Sequence, residues 1–155
     1  MAARSRRGAA ARDRSLLRTA ALLVGTVFLL VGVLGFVPGI TTHYGDMSGA
    51  GHESMAKLLG IFQVSVLHNI VHVVFGVAGI LLSRSDEGAR GYLIGGGVIY
   101  LVLWVYGLAI DETSSANFVP VNDADNWLHF ALGVGMAGVG VLLSRDRRGR
   151  MAGNF

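Results

Sequence analysis

Cysteine is absent from this 155-residue chain, which excludes disulfides, thiolate catalysis and cysteine-held metal in one step. Charge is scarce: Asp, Glu, Lys and Arg make up 15% of the residues, where a soluble domain carries about 25%. Proline occurs only twice. What the chain has instead is apolar surface, with 52% hydrophobic residues and a mean hydropathy of +0.56. These values place one small domain in the membrane class. A net charge of +3 with a pI near 9.8 would suit nucleic acid. The charges, however, sit at the ends of apolar runs, so no nucleic-acid partner is expected and the lipid bilayer is.

Four runs lack Asp, Glu, Lys and Arg altogether: residues 19–37, 58–82, 92–110 and 127–143. A helix rises about 1.5 Å per residue and a bilayer core is about 30 Å thick, so each run has the length of a transmembrane helix. Period-two alternation is missing, which argues against a β-barrel. The expected fold is therefore all-α: an integral membrane protein with four transmembrane helices in an up-down bundle over residues 16–143. A disordered basic tail is expected at 1–15 and a second basic tail at 144–155. Arg6-Arg7 has no apolar core directly behind it, so the amino-terminal tail reads as uncleaved. Of the 13 basic residues, 12 lie in the two tails, at Arg18 or between runs two and three. The positive-inside rule then puts both termini in the cytoplasm of a multi-pass plasma-membrane protein. Pro38-Gly39 is expected to stop the first helix, and Gly49 to Ala56 to begin the second. Asn122, Asp123 and Asp125 suit capping of the fourth.

The second run carries polar groups at its centre. At 100° per residue, Ser65, His68, Asn69 and His72 share one helical arc of about 100°. Such groups are costly against lipid, so this face should look into protein. Leu67 to Arg84 (LHNIVHVVFGVAGILLSR) and Leu128 to Arg145 (LHFALGVGMAGVGVLLSR) agree at eight of 18 positions. Gly25 and Gly35 pair more weakly with Gly97 and Gly107. Two such hairpins would form a 2+2 parallel repeat, with His68 and His129 at one depth. Gly76, Gly79, Gly133 and Gly140 would let helices two and four approach below the histidines.

Three readings of these residues stand side by side. In the first, Ser65, His68, Asn69, His72 and His129 form a structural polar core and no cofactor is bound. In the second, His68 and His129 ligate a haem. In the third, His72 joins His68 and His129 around a metal ion, since His68 and His72 have the i, i+4 spacing of a chelate. His43, Asp46, His52 and Glu53 in the first outer loop are a further, weaker metal motif. Tyr100 and Trp104 are spaced to stack on helix three. Ala21 with Gly25 and Gly91 with Gly95 have the spacing of close helix contacts, either inside the bundle or between copies.

The stretches GVLGFVPGITT, AKLLGIFQVSVLHNIVHVVFGVAG, GYLIGGGVIYLVLW and NFVPVNDADNWLH resemble the small four-helix membrane proteins grouped as domain of unknown function 4383, mainly actinobacterial. The resemblance covers about Thr19 to Leu143. It implies a multi-pass membrane protein and supplies no catalytic residue. The function expected is a non-enzymatic scaffold or partner subunit, bound to a second copy or to another membrane protein. A histidine-based redox bundle is the alternative, and a small transporter or proton-path subunit follows it.

Overall fold

The computed structural model describes the backbone of residues 2–151 and the side chains of residues 16–144. Among the described residues there are four α-helices: α1 Ala2–Leu34, α2 Val66–Leu82, α3 Asp86–Ala109 and α4 Asp123–Met151. Between α1 and α2 lie three two-residue strands, β1 Thr41–Thr42, β2 Lys57–Leu58 and β3 Phe62–Gln63, in an antiparallel sheet of order β1-β2-β3. The expectations for the basic tails, 1–15 and 144–155, fall on residues whose side chains lie outside those described, apart from Ser144.

Three of the helices are long and apolar enough to cross a membrane: Leu16–Leu34, Asp86–Ala109 and Asp123–Ser144. The second is not. The uncharged run 58–82 was expected to be one helix, but α2 holds only 17 residues, about 25 Å at 1.5 Å per residue. The reason lies at Leu59 and Gly60, whose φ values of 54° and 73° reverse the chain. Two successive left-handed residues make a tight hairpin turn, and Leu58 then pairs with Phe62 and Lys57 with Gln63. Nor does Gly49 to Ala56 begin a helix. It is a looped segment in which the Ser54 hydroxyl donates to the Val64 carbonyl at 2.5 Å. Ser65 is correspondingly not on the helix face. It is the N-cap of α2, in extended conformation, and its Oγ accepts from the His68 amide at 3.1 Å.

The other ends shift less. α1 stops at Leu34, before Pro38, and the Thr41 hydroxyl lies within donating distance of the carbonyls of Leu34 (3.2 Å) and Gly35 (3.1 Å). Those carbonyls would otherwise lack partners at the helix end. α3 begins at Asp86, capped by Ser85, with Asp86 and Glu87 placed favourably in its first turn. At this end of the bundle Arg18 of α1 bonds Asp86 at 2.7 Å. α4 starts from a reciprocal cap. Asn122 Oδ1 accepts from the Asp125 amide and Asp125 Oδ2 accepts from the Asn122 amide, each at 3.0 Å. The same Oδ2 accepts from the Gln63 amide at 3.0 Å, and Asn122 Nδ2 donates to the Ile61 carbonyl at 2.9 Å. The cap of α4 thus ties the β2–β3 hairpin to the bundle.

α1 packs closest against α2, and α3 against α4. The closeness comes from glycines: a Cβ on Gly76 would lie 2.4 Å from the Leu29 backbone nitrogen, and one on Gly97 would lie 2.6 Å from that of Ala137. Gly79 faces Gly25 and Tyr92, while Gly133 and Gly140 face Leu101 and Ile94. These glycines therefore join α2 to α1 and α4 to α3, rather than α2 to α4 as the sequence suggested. Ala21 and Gly25 are used inside the bundle, whereas nothing approaches Gly91 or Gly95. The central core joins Phe28, Tyr92, Leu93, Tyr100 and Met136. A smaller core of Ala56, Leu58 and Val64 sits under the sheet, against Val31 and Leu34.

Candidate functional site

Buried polar residues gather at the end of the bundle that carries the two long loops. Ser65, His68, Asn69, Asn126 and His129 are each at least 94% buried by side-chain and backbone surface together; His72 is half-buried. His68 and Asn69 occupy the first turn of α2 because the Ser65 cap starts the helix there. Asn126 and His129 occupy the first two turns of α4 because the Asn122–Asp125 cap starts that helix.

His68 Nδ1 lies 3.3 Å from the Pro120 carbonyl, and His72 Nδ1 lies 3.0 Å from the His68 carbonyl. Each imidazole therefore donates from Nδ1 to backbone and keeps its lone pair on Nε2. The two rings are stacked, with centroids 4.5 Å apart and planes 12° from parallel. His72 packs on Phe28 at 5.5 Å, Phe28 on Tyr100 at 5.3 Å, and Tyr100 on His129 at 5.2 Å. An aromatic chain thus runs from His68 through the centre of the bundle to His129. Asn69 Nδ2 points to the Met47 sulfur at 3.8 Å, and its Oδ1 fills the space that a Cβ on Gly35 would need.

The loops close over this core. Asn117, fully buried, accepts from the Val121 amide and donates to the carbonyls of Glu112 and Val121, which holds Pro120 above His68. The Gly51 amide donates to the Phe118 carbonyl at 2.7 Å and joins the two loops. At the loop surface, hydrogen bonds from Thr113 hold the Asp111 carboxyl below the usual carboxylate range. Partial desolvation, with Asp123 and Asp111 nearby, pushes Glu112 up.

This geometry bears on each proposed ligand set. A zinc-like ion sits about 2.0–2.1 Å from each imidazole nitrogen, close to the ring planes. Stacked, parallel rings direct their lone pairs side by side, so His68 and His72 do not converge on one ion. Among the described residues no three His, Asp or Glu side chains form a metal-holding group. That includes His72 with His68 and His129. It also includes the loop motif, where His43 and Asp46 are 3.9 Å apart and largely exposed. For a haem, the residues fit poorly: one ring face of His68 is covered by His72 and the His129 ring lies against Tyr100, so a macrocycle between them would have to displace aromatic side chains of the core. Tyr100 and Trp104 do not stack on each other: Trp104 packs on Phe130 at 4.8 Å. The residues that sequence reasoning missed are Asn126 and the central Phe28. Asn126 lies one residue outside the apolar run 127–143, although it is one helical turn from His129, and starting the helix at the Asn122 cap would have included it.

Fold and site together define a class: a four-helix bundle, one end of which encloses a core of histidine, asparagine and aromatic side chains, roofed by two mutually bonded loops. The family described as domain of unknown function (DUF4383) matches residues 18–142, most of the chain, and the protein belongs to that family. No curated protein and no solved structure matches it.

Proposed function

We propose that this protein is a multi-pass plasma-membrane protein with both termini in the cytoplasm, acting as a non-enzymatic scaffold or partner subunit. The observation that carries the reading is where the buried chemistry is directed. The imidazoles of His68 and His72 donate to backbone carbonyls, and the Asn69 side chain fills a glycine notch. His68 ties α2 to the Pro120 loop and Asn69 ties it to the segment after α1, while His72 bonds within its own helix; none of the three presents a nucleophile with a base beside it.

Membrane insertion is supported by the outward faces. Leu23, Val74, Val102 and Leu142, one on each helix, are each more than 60% exposed. An apolar surface on every side is costly in water and costs nothing in lipid. The 2+2 repeat draws support from the glycine notches. Asn69 of α2 enters the notch at Gly35, just past the end of α1, and Asn126 of α4 enters the notch at Gly107 of α3. Gly35 and Gly107 are the pair that the sequence comparison aligns, while the asparagines that fill them sit one helical turn apart in the alignment of helices two and four.

A reporter active only outside the cytoplasm tests the orientation. Fused after Phe155 it should be silent, and inserted near Ser115 it should be active; the reverse pattern overturns the charge argument. An absorption spectrum of the purified protein in detergent, with elemental analysis, tests the role. A Soret band that shifts on reduction, or a stoichiometric metal, would replace the structural reading by the redox one.

A further inference from the structure

Among the described residues, the seam between α3 and α4 leaves three buried polar atoms without a hydrogen-bond partner: Trp104 Nε1, Asn126 Oδ1 and His129 Nδ1. Asn126 is 4% exposed and His129 6%. Their positions are linked. Tyr100, Trp104 and Gly107 share one face of α3. Tyr100 meets His129 at a ring distance of 5.2 Å, and a Cβ on Gly107 would lie 1.8 Å from Asn126 Oδ1. Trp104, midway between Tyr100 and Gly107, packs on Phe130, the residue after His129. The three unpartnered atoms therefore occupy about two helical turns of a single seam.

Their chemistry is complementary to one group. The indole N–H can only donate and the carboxamide oxygen can only accept; an imidazole nitrogen does either, according to tautomer. A hydroxyl placed among them would accept from Trp104 and donate to Asn126 or His129. A charged guest would need a counter-charge. The Asp125 carboxylate, next to Asn126 in the chain, is turned to the amides of Gln63 and Asn122 instead. The fourth buried polar atom without a partner among the described residues, Tyr92 Oη, differs in kind. It is wedged at the Gly79–Gly25 contact, where a Cβ on Gly79 would lie 2.6 Å from it.

We infer that the outer half of the α3–α4 seam is a binding site for a hydroxyl group. Water is the smallest such guest and makes about three hydrogen bonds when buried. The hydroxyl of an apolar alcohol entering from the lipid side, past Phe130 and the exposed Trp127, has the same chemistry. The inference goes beyond the scaffold reading and rests on this seam alone, not on the orientation of the chain.

Trp104 and Trp127 are the only tryptophans, so the test needs two indole signals. Protein labelled with nitrogen-15 at the indoles, in deuterated detergent, is studied by magnetisation transfer from water, with Trp127→Phe to assign the signals. A water cross-peak at the Trp104 indole, weakened in Asn126→Leu, identifies water as the guest. No water cross-peak, but a Trp104 shift on titrating 1-octanol with Trp127 unmoved, identifies an apolar alcohol. A Trp104 indole that shows neither response overturns the inference. The unmodified chain decides between these outcomes even where Asn126→Leu fails to fold.

Discussion

Replacing Gly76 by alanine tests whether the α1–α2 contact is as tight as the structure shows. The added Cβ would lie 2.4 Å from the Leu29 nitrogen, 2.7 Å from its Cα and 2.8 Å from the Gly25 carbonyl oxygen. All three are backbone atoms, so no side chain can swing aside and α1 itself must retreat. Overpacking of this kind costs about 1–3 kcal/mol. Alanine regains about 1 kcal/mol in helix propensity. The net result is a destabilisation of up to about 2 kcal/mol, taken as the difference of those two ranges. Gly138→Ala is the matched control, since nothing lies within 4 Å of its Cβ position. That variant should gain the propensity term, about 1 kcal/mol, without the clash. Reversible unfolding in mixed micelles with increasing SDS, followed by circular dichroism, measures both. The reasoning is refuted if Gly76→Ala unfolds at the same SDS fraction as Gly138→Ala, because the helices would then have room that the structure denies them.

Asn122→Ala removes the cap of α4 and its bond to the Ile61 carbonyl, and should lower stability by about 1–2 kcal/mol in the same assay. Thr41→Val keeps the shape but deletes the donor to the Leu34 and Gly35 carbonyls; a loss of about 1 kcal/mol is expected, seen as faster amide exchange in the last turn of α1. Because the chain has no cysteine, a His68→Cys, His129→Cys pair should be bridged within one polypeptide by a short bis-methanethiosulfonate reagent, each thiol displacing a sulfinate group. A Val74→Cys, His129→Cys pair should not, since Val74 is 62% exposed; equal linking of both pairs would contradict the buried placement of the histidines.

Much of this protein is decided locally and is therefore legible in the chain. Four uncharged runs require four apolar elements, because a charge inside them would have to be buried without a partner. His68 and Asn69 lie on the inward arc of α2 because helical periodicity puts them there, whichever helix faces them. Asn122 and Asp125 cap α4 through short-range hydrogen bonds, which sequence spacing encodes. The turn at Leu59-Gly60 is different. Apolar composition is the same in a buried strand and a buried helix, and a leucine with positive φ is a conformation that local preference disfavours. It is held by tertiary bonds from Asn122 and Asp125, more than sixty residues away along the chain. The polar core divides in the same way. That its histidines are buried follows from their place in apolar runs. That His68 bonds Pro120, stacks on His72 and reaches His129 through Phe28 and Tyr100 depends on how four helices and two loops pack, which only the tertiary structure decides.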